Sequence, residues 1–126
     1  LPEDFAWLGC ADMPPNTPSI SSERGTRGQV MKAVVEKCRI PRVFENYRDL
    51  LDEKPDLVIV TAENARHPAL VAEILGRGIH VVLEKPMALA LAGAVEMARA
   101  ARDGKAMLAV NWPTSWDPAF RLACRL

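Results

Sequence analysis

The sequence predicts an α/β protein with a mostly parallel sheet flanked by helices. Three observations carry that prediction. Residues 56–61, 79–83 and 106–111 are short, mainly apolar runs of strand length, and the first of them is rich in β-branched side chains as strands are. Residues 67–76 and 90–103, which separate them, have the length and apolar spacing of helices. Strand, helix, strand, helix, strand at this spacing marks right-handed βαβ crossovers in a parallel sheet.

The elements follow in order. Residues 5–11 are an apolar run that reads as a buried strand ending at Asp12. The proline-rich segment 13–18 suits neither helix nor central strand and reads as a loop. Ser21 or Ser22 is placed to cap a helix running to about Cys38, with Val30, Ala33, Val34 and Lys37 on one face. Gly25 and Gly28 weaken its first turn. A short strand is expected at 40–44 and a short helix at 47–51. Within 56–61, Leu57 to Val60 are apolar without a break, as a strand covered on both faces should be. After a loop at 64–66, the helix 67–76 carries Leu70, Val71, Ile74 and Leu75 on its inner stripe. Gly76 and Gly78 supply a left-handed stop. The alanine-rich helix 90–103 ends at Gly104, and a last helix starts near Asp117-Pro118. No repeat, low-complexity tract or domain boundary interrupts the 126 residues.

Composition narrows the function classes. Lys plus Arg is 16 and Asp plus Glu is 16, so there is no electrostatic footprint for nucleic acid or an anionic membrane. No apolar run is long enough to span a bilayer. Cys10, Cys38 and Cys124 are far apart and form no C-x-x-C pair, which fits neither a disulfide framework nor a metal site. Thiols of that kind point to a reducing compartment, hence a cytoplasmic location.

In an open parallel sheet, ligands bind beyond the carboxyl ends of the strands. Polar or charged residues stand there after four of the apolar runs: Asp12, Thr61 to Asn64, Glu84-Lys85-Pro86 and Asn111-Trp112. A carboxylate at Asp12 can accept from both hydroxyls of a ribose and repels a 2′-phosphate, although an acidic residue opening a turn is the commoner occurrence. Lys85 can place a cation near a substrate oxygen, and Pro86 fixes the backbone beside it; a solvated Glu–Lys pair before a proline loop is the equal alternative. His67 opens a helix, where an ordinary first-turn residue is the plainer reading. His80 lies inside a strand and is expected to pack or meet solvent. Trp112 and Trp116 suit a sugar or nicotinamide wall and equally a core or interface. Glu23, Arg24 and Arg27 read as a solvated face.

These residues together resemble the Gfo/Idh/MocA family of NAD(P)-dependent oxidoreductases, which takes in glucose–fructose oxidoreductase and inositol dehydrogenase. The likeness is densest over residues 43–110. Val43-Phe44-Glu45-Asn46-Tyr47-Arg48-Asp49-Leu50-Leu51 is similar to the family's short strand and following helix. Asp56-Leu57-Val58-Ile59-Val60-Thr61 with Asn64 and His67 is similar to its DxVxIxTPnxxH segment, and Gly78-Ile79-His80-Val81-Val82-Leu83-Glu84-Lys85-Pro86 to its GkHVlxEKP signature. The resemblance implies a Rossmann domain followed by a larger α/β substrate domain. It implies that Lys85 lies by the nicotinamide and the substrate, with Pro86 the candidate for a cis peptide bond, and that Glu84 contacts the nicotinamide ribose. It places Thr61, Ala62, Asn64 and His67 along the cofactor groove, with Asn111 and Trp112 close to the nicotinamide. Asp12 matches the family's acidic residue and implies NAD, with NADP also admissible. A sugar, inositol or related polyol substrate and a homo-oligomeric parent protein are implied too.

The departures from the family pattern are as definite. No G-x-G-x-x-G occurs, and Ala62 stands where proline is usual. The expectation is therefore a partial Rossmann domain, truncated at both ends, that lacks strand 1, the Gly-rich loop and the substrate domain. The usual strand order is 3-2-1-4-5-6, so losing strand 1 leaves unpaired edges. Either the flanking strands close the gap, with residues 5–11 pairing residues 56–61, or the isolated chain is poorly stable and has little activity. Two rivals stand beside this reading. One is a non-catalytic member that binds a nucleotide or sugar. The other is a receiver-type signalling module, which would need a phosphorylatable aspartate that the run ending at Val60-Thr61 does not supply.

Overall fold

The helices and strands fall into two compact groups of contacts, Leu1–Pro55 and Asp56–Leu126, although no break in composition separates them. They are seen in a computed structural model that describes residues 5–12 and 26–125. The loop expected at 13–18, the caps expected at Ser21 or Ser22, and Glu23, Arg24 and Gly25 lie outside the described residues.

In the first group, β1 (Cys10–Ala11) pairs in parallel with β2 (Val43–Phe44), Cys10 opposite Val43 and Ala11 opposite Phe44. The strand is thus much shorter than the apolar run 5–11, and Phe5 is 59% exposed. A partner of two residues has no ladder to offer the rest of the run. Gly9 allows the approach, because a Cβ there would come within 2.6 Å of the Phe44 ring. Helix α1 (Arg27–Cys38) starts from Thr26, not from Ser21 or Ser22. Thr26 and Gln29 form a reciprocal capping box that satisfies two otherwise orphaned N–H donors. Val30, of the expected inner face, is sheltered together with Met31 and Val35, whereas Ala33, Val34 and Lys37 of that face are exposed. Helix α2 (Tyr47–Asp52) is capped by Asn46 and buries Leu50 and Leu51. Arg42 stacks its guanidinium 4.6 Å from the Phe44 ring centre and pairs with Glu53 at 2.8 Å. That hydrogen bond holds the Glu53 carboxyl below its usual range.

The second group is a three-stranded parallel sheet in the order β3 (Leu57–Val60), β4 (His80–Glu84), β5 (Leu108–Asn111). Helix α3 (His67–Gly76) links the first pair and α4 (Leu91–Asp103) the second. Val58, Val60, Val81 and Leu83 share a face through the register Val58 to Val81 and Val60 to Leu83. Val60, Val81 and Leu83 are buried there with Val71, Ile74, Leu75 and Met97. Two right-handed crossovers progressing in one direction put both helices on the same face. Hence Leu57 and Ile59, on the other face, are 38% and 52% exposed, and β3 is not covered on both sides as expected. The described strands form only the β1–β2 and β3–β4–β5 ladders, so pairing between the run at 5–11 and β3 is not among them.

Helix α4 packs on α3 through its small residues. A Cβ on Gly93 would lie 2.6 Å from the Pro68 ring, and one on Gly104 would overlap the Leu75 carbonyl. Met97 fills the space between them and is fully buried. The chain leaves α3 through Gly78, whose φ of +77° favours glycine. Helix α5 (Pro118–Ala123) follows a 3-10 turn, Pro113–Trp116, and is capped by Asp117.

Two outcomes follow from this packing. Gly104→Ala should cost about 2–3 kcal/mol in urea unfolding, since backbone must move to admit the methyl. Gly76→Ala, with open space at its Cβ, should instead gain up to about 0.5–1 kcal/mol. The thiols should also separate by rate. Burial, and then the Asp12 charge, push the Cys10 thiol up, so less thiolate is present at neutral pH. A maleimide should label exposed Cys38 and Cys124 first. Asp12→Asn removes the second cause and should speed labelling of Cys10 by about twofold.

Candidate cofactor site

Parallel strands finish at one edge, so the residues just after β3, β4 and β5 are brought together by the sheet alone. Glu84 stands opposite Asn111 in the last rung of the β4–β5 ladder. The Asn111 amide donates to Glu84 Oε1 at 2.6 Å, and the Lys85 N–H donates to Glu84 Oε2 at 3.2 Å. The Trp116 indole N–H in turn donates to Asn111 Oδ1 at 3.3 Å. With its oxygen so engaged, the Asn111 amide presents its NH2 to the carboxylate. Each carboxylate oxygen keeps a further lone pair for a ligand hydroxyl. The sequence offers Trp116 as a sugar or nicotinamide wall or as a core or interface aromatic; its part in this chain of bonds depends on the turn Pro113–Trp116 folding it back towards β5.

Lys85 is exposed, and its ammonium has no ion-pair or hydrogen-bond partner among the described residues. The Lys85–Pro86 peptide bond is cis. Thr61 and Asn64 are exposed after β3, Asn64 as the first residue of a 3-10 turn, Asn64–Arg66, that runs into α3. Trp112 is half exposed beyond β5. These residues converge at the sheet edge. Asp12, exposed, directly follows β1 in the other group.

His67 departs from expectation. It opens α3, where Pro68 supports the first turn, and its ring is 0% exposed. Nε2 lies 2.9 Å from the Ala62 carbonyl oxygen and Nδ1 lies 3.0 Å from that of Pro86. Both ring nitrogens are therefore committed to main chain, and the ring does not line the groove as the resemblance implied, nor is it an idle first-turn residue. Both partners are acceptors, so a neutral ring donates to one of them and a charged ring to both. Ala62, expected along the groove, contributes its carbonyl to this contact. His80, by contrast, packs as the sequence suggested: its Nδ1 accepts from the Met107 N–H at 3.0 Å, tying β4 to the approach of β5.

Residues 19–112 match the family model described as the oxidoreductase family with an NAD-binding Rossmann fold, GFO_IDH_MocA. The chain belongs to that family. YceM of Salmonella typhimurium, an oxidoreductase by name, is 33% identical to this Gfo/Idh/MocA chain over 88 residues. That match takes in 70% of the chain and 28% of YceM, so the chain spans under a third of this curated relative. Among solved structures, the WlbA dehydrogenase from Chromobacterium violaceum, in complex with NADH and UDP-GlcNAcA, is 31% identical with a TM-score of 0.72, over 78% of this chain and 28% of that one. An NAD binding oxidoreductase from Klebsiella pneumoniae is 28% identical with a TM-score of 0.68, over 75% and 26%. The myo-inositol 2-dehydrogenase from Lactobacillus plantarum shares the fold, at 20% identity and a TM-score of 0.69 over 77% and 29%. The expected partial Rossmann fold is thus the fold of this Gfo/Idh/MocA chain. No described helix is long and apolar enough to cross a membrane.

The His67 contacts set a stability test. His67→Phe keeps a planar ring but leaves no side-chain donor facing either sheltered carbonyl. It should lower unfolding stability by about 2–4 kcal/mol, measured in urea.

Proposed function

We propose that this chain is the cofactor-binding part of a longer NAD(P)-dependent oxidoreductase, which moves a hydride between nicotinamide and the carbinol carbon of a sugar, inositol or related polyol. The observation that carries the reading is the convergence of an oriented carboxylate, Glu84, and an ammonium unpaired among the described residues, Lys85, at the carboxyl edge of a parallel sheet in a family whose fold binds NAD. UDP-GlcNAcA with NADH in the WlbA complex supports the substrate class.

The residues present fit the nicotinamide end of such a cofactor. Glu84 is held with lone pairs available for ribose hydroxyls, and Thr61, Ala62, Asn64, Asn111 and Trp112 border the same edge. The 126 residues hold no Gly-rich loop, so none of them is assigned to the pyrophosphate. When bound, NAD supplies the hydride acceptor for oxidation. Lys85 then donates from its ammonium to the reacting oxygen and polarises it, and the hydroxyl proton released on oxidation passes to a base outside these residues and returns from it in the reverse direction. Asn111, braced by Trp116, keeps Glu84 turned towards the ribose. Asp12 selects NAD over NADP by repelling a 2′-phosphate. The substrate domain lies elsewhere in the longer protein, and the 126 residues alone turn nothing over.

The test is NAD- and NADP-linked oxidation by the full-length protein, with myo-inositol, glucose and UDP-GlcNAcA as substrates. Lys85→Ala should lower kcat by about a hundredfold or more. Asp12→Ala should narrow the preference for NAD by about tenfold. Undiminished turnover in Lys85→Ala would sink the role given to Lys85. NADH binding without turnover of any sugar or polyol would favour a non-catalytic, ligand-binding member of the fold.

A further inference from the structure

His67 is buried, titratable and unused by the chemistry above, yet both its nitrogens end on main chain next to the residues that chemistry needs. Ala62 belongs to the loop after β3, and Pro86 immediately follows Lys85. The ring thereby connects two loops that the sequence separates by a helix and a strand.

The need for such a connection is visible at Lys85. Its side chain has no partner among the described residues, so only its main chain sets where the ammonium starts. On one side, the Lys85 N–H is held by Glu84 Oε2. On the other stands Pro86, which has no N–H, so its carbonyl is the one polar main-chain group by which it can be held. That carbonyl is the one His67 Nδ1 meets at 3.0 Å. A planar ring seated at the start of α3 and closed off from solvent is a rigid spacer, which water or a mobile side chain is not.

We infer that His67 is a positioning residue: it fixes the Pro86 carbonyl relative to the Ala62 carbonyl, and so fixes Lys85 relative to the loop after β3, without touching cofactor or substrate. This rests on the reading of Lys85 given above. Misplacing a reacting group by about an ångström can cost about a hundredfold in rate, so the effect should appear in kcat and run through Lys85.

The experiment is a double-mutant cycle in the full-length protein, with His67→Phe and Lys85→Ala alone and together. The readouts are kcat and KM for myo-inositol, glucose and UDP-GlcNAcA, and the dissociation constant of NADH from its own fluorescence. His67→Phe should lower kcat by about ten- to a hundredfold with KM changed by less than about threefold, and should cost less than about threefold more once Lys85 is gone. Where none of the three substrates turns over, the same non-additivity is expected in NADH affinity. If His67→Phe does not fold, His67→Gln takes its place. Its amide keeps a donor for one carbonyl, and it should show a smaller loss with the same dependence on Lys85. An equal loss with and without Lys85, or no loss in its presence, overturns the inference and leaves the role of Lys85 standing. A Lys85→Ala variant as active as the parent overturns the reading of Lys85 first, and the positioning role with it.

Discussion

The loops at the edge of the second group are joined by one contact, the buried imidazole of His67 between the carbonyls of Ala62 and Pro86. A parallel sheet delivers its loops to one edge but does not fix them against one another, because each loop leaves on its own strand. Here a side chain from the start of α3 supplies the missing connection. The helix is itself fixed by Val71, Ile74 and Leu75 against the sheet, so the ring inherits the rigidity of the core. Backbone carbonyls left without a donor in such a place are costly, which gives the connection a thermodynamic as well as a geometric basis.

A second layer of order comes from polar groups arranged in series. Trp116 orients Asn111, Asn111 and the Lys85 N–H orient Glu84, and Lys85 is left with its ammonium exposed. Each bond alone is modest. Together they choose one rotamer for a carboxylate that would otherwise turn freely at the edge of the sheet. The anionic group is thereby held while the cationic one stays available, which suits a site where the cation meets a ligand oxygen.

Much of the second group was legible in the sequence, because periodicity and glycine punctuation agree there. The helix expected at 67–76 has those bounds in the structure, and the strands expected at 56–61 and 79–83 agree within a residue at each end. The first group was less legible. The run at 5–11 is apolar enough for a buried strand, but burial depends on a partner, and β2 is only two residues long. The α1 cap was present as Thr26 with Gln29 three residues later, a pattern masked by the more obvious serines upstream. At the sheet edge, Glu84, Lys85 and Asn111 stand out because a polar or charged residue after an apolar run is conspicuous. His67 and Trp116 are legible there as candidates, but the main chain or amide that each meets is not. Those partners are 5 and 19 residues from His67, and 5 from Trp116.

The bond from Trp116 to Asn111 has an optical consequence. Indole emission responds to the charge and polarity around its ring, and this indole is mostly exposed yet tethered, two hydrogen bonds from Glu84. A change at the carboxylate is therefore passed to a fluorophore that the protein already carries. Events at the edge of the sheet can be followed by light without attaching a dye.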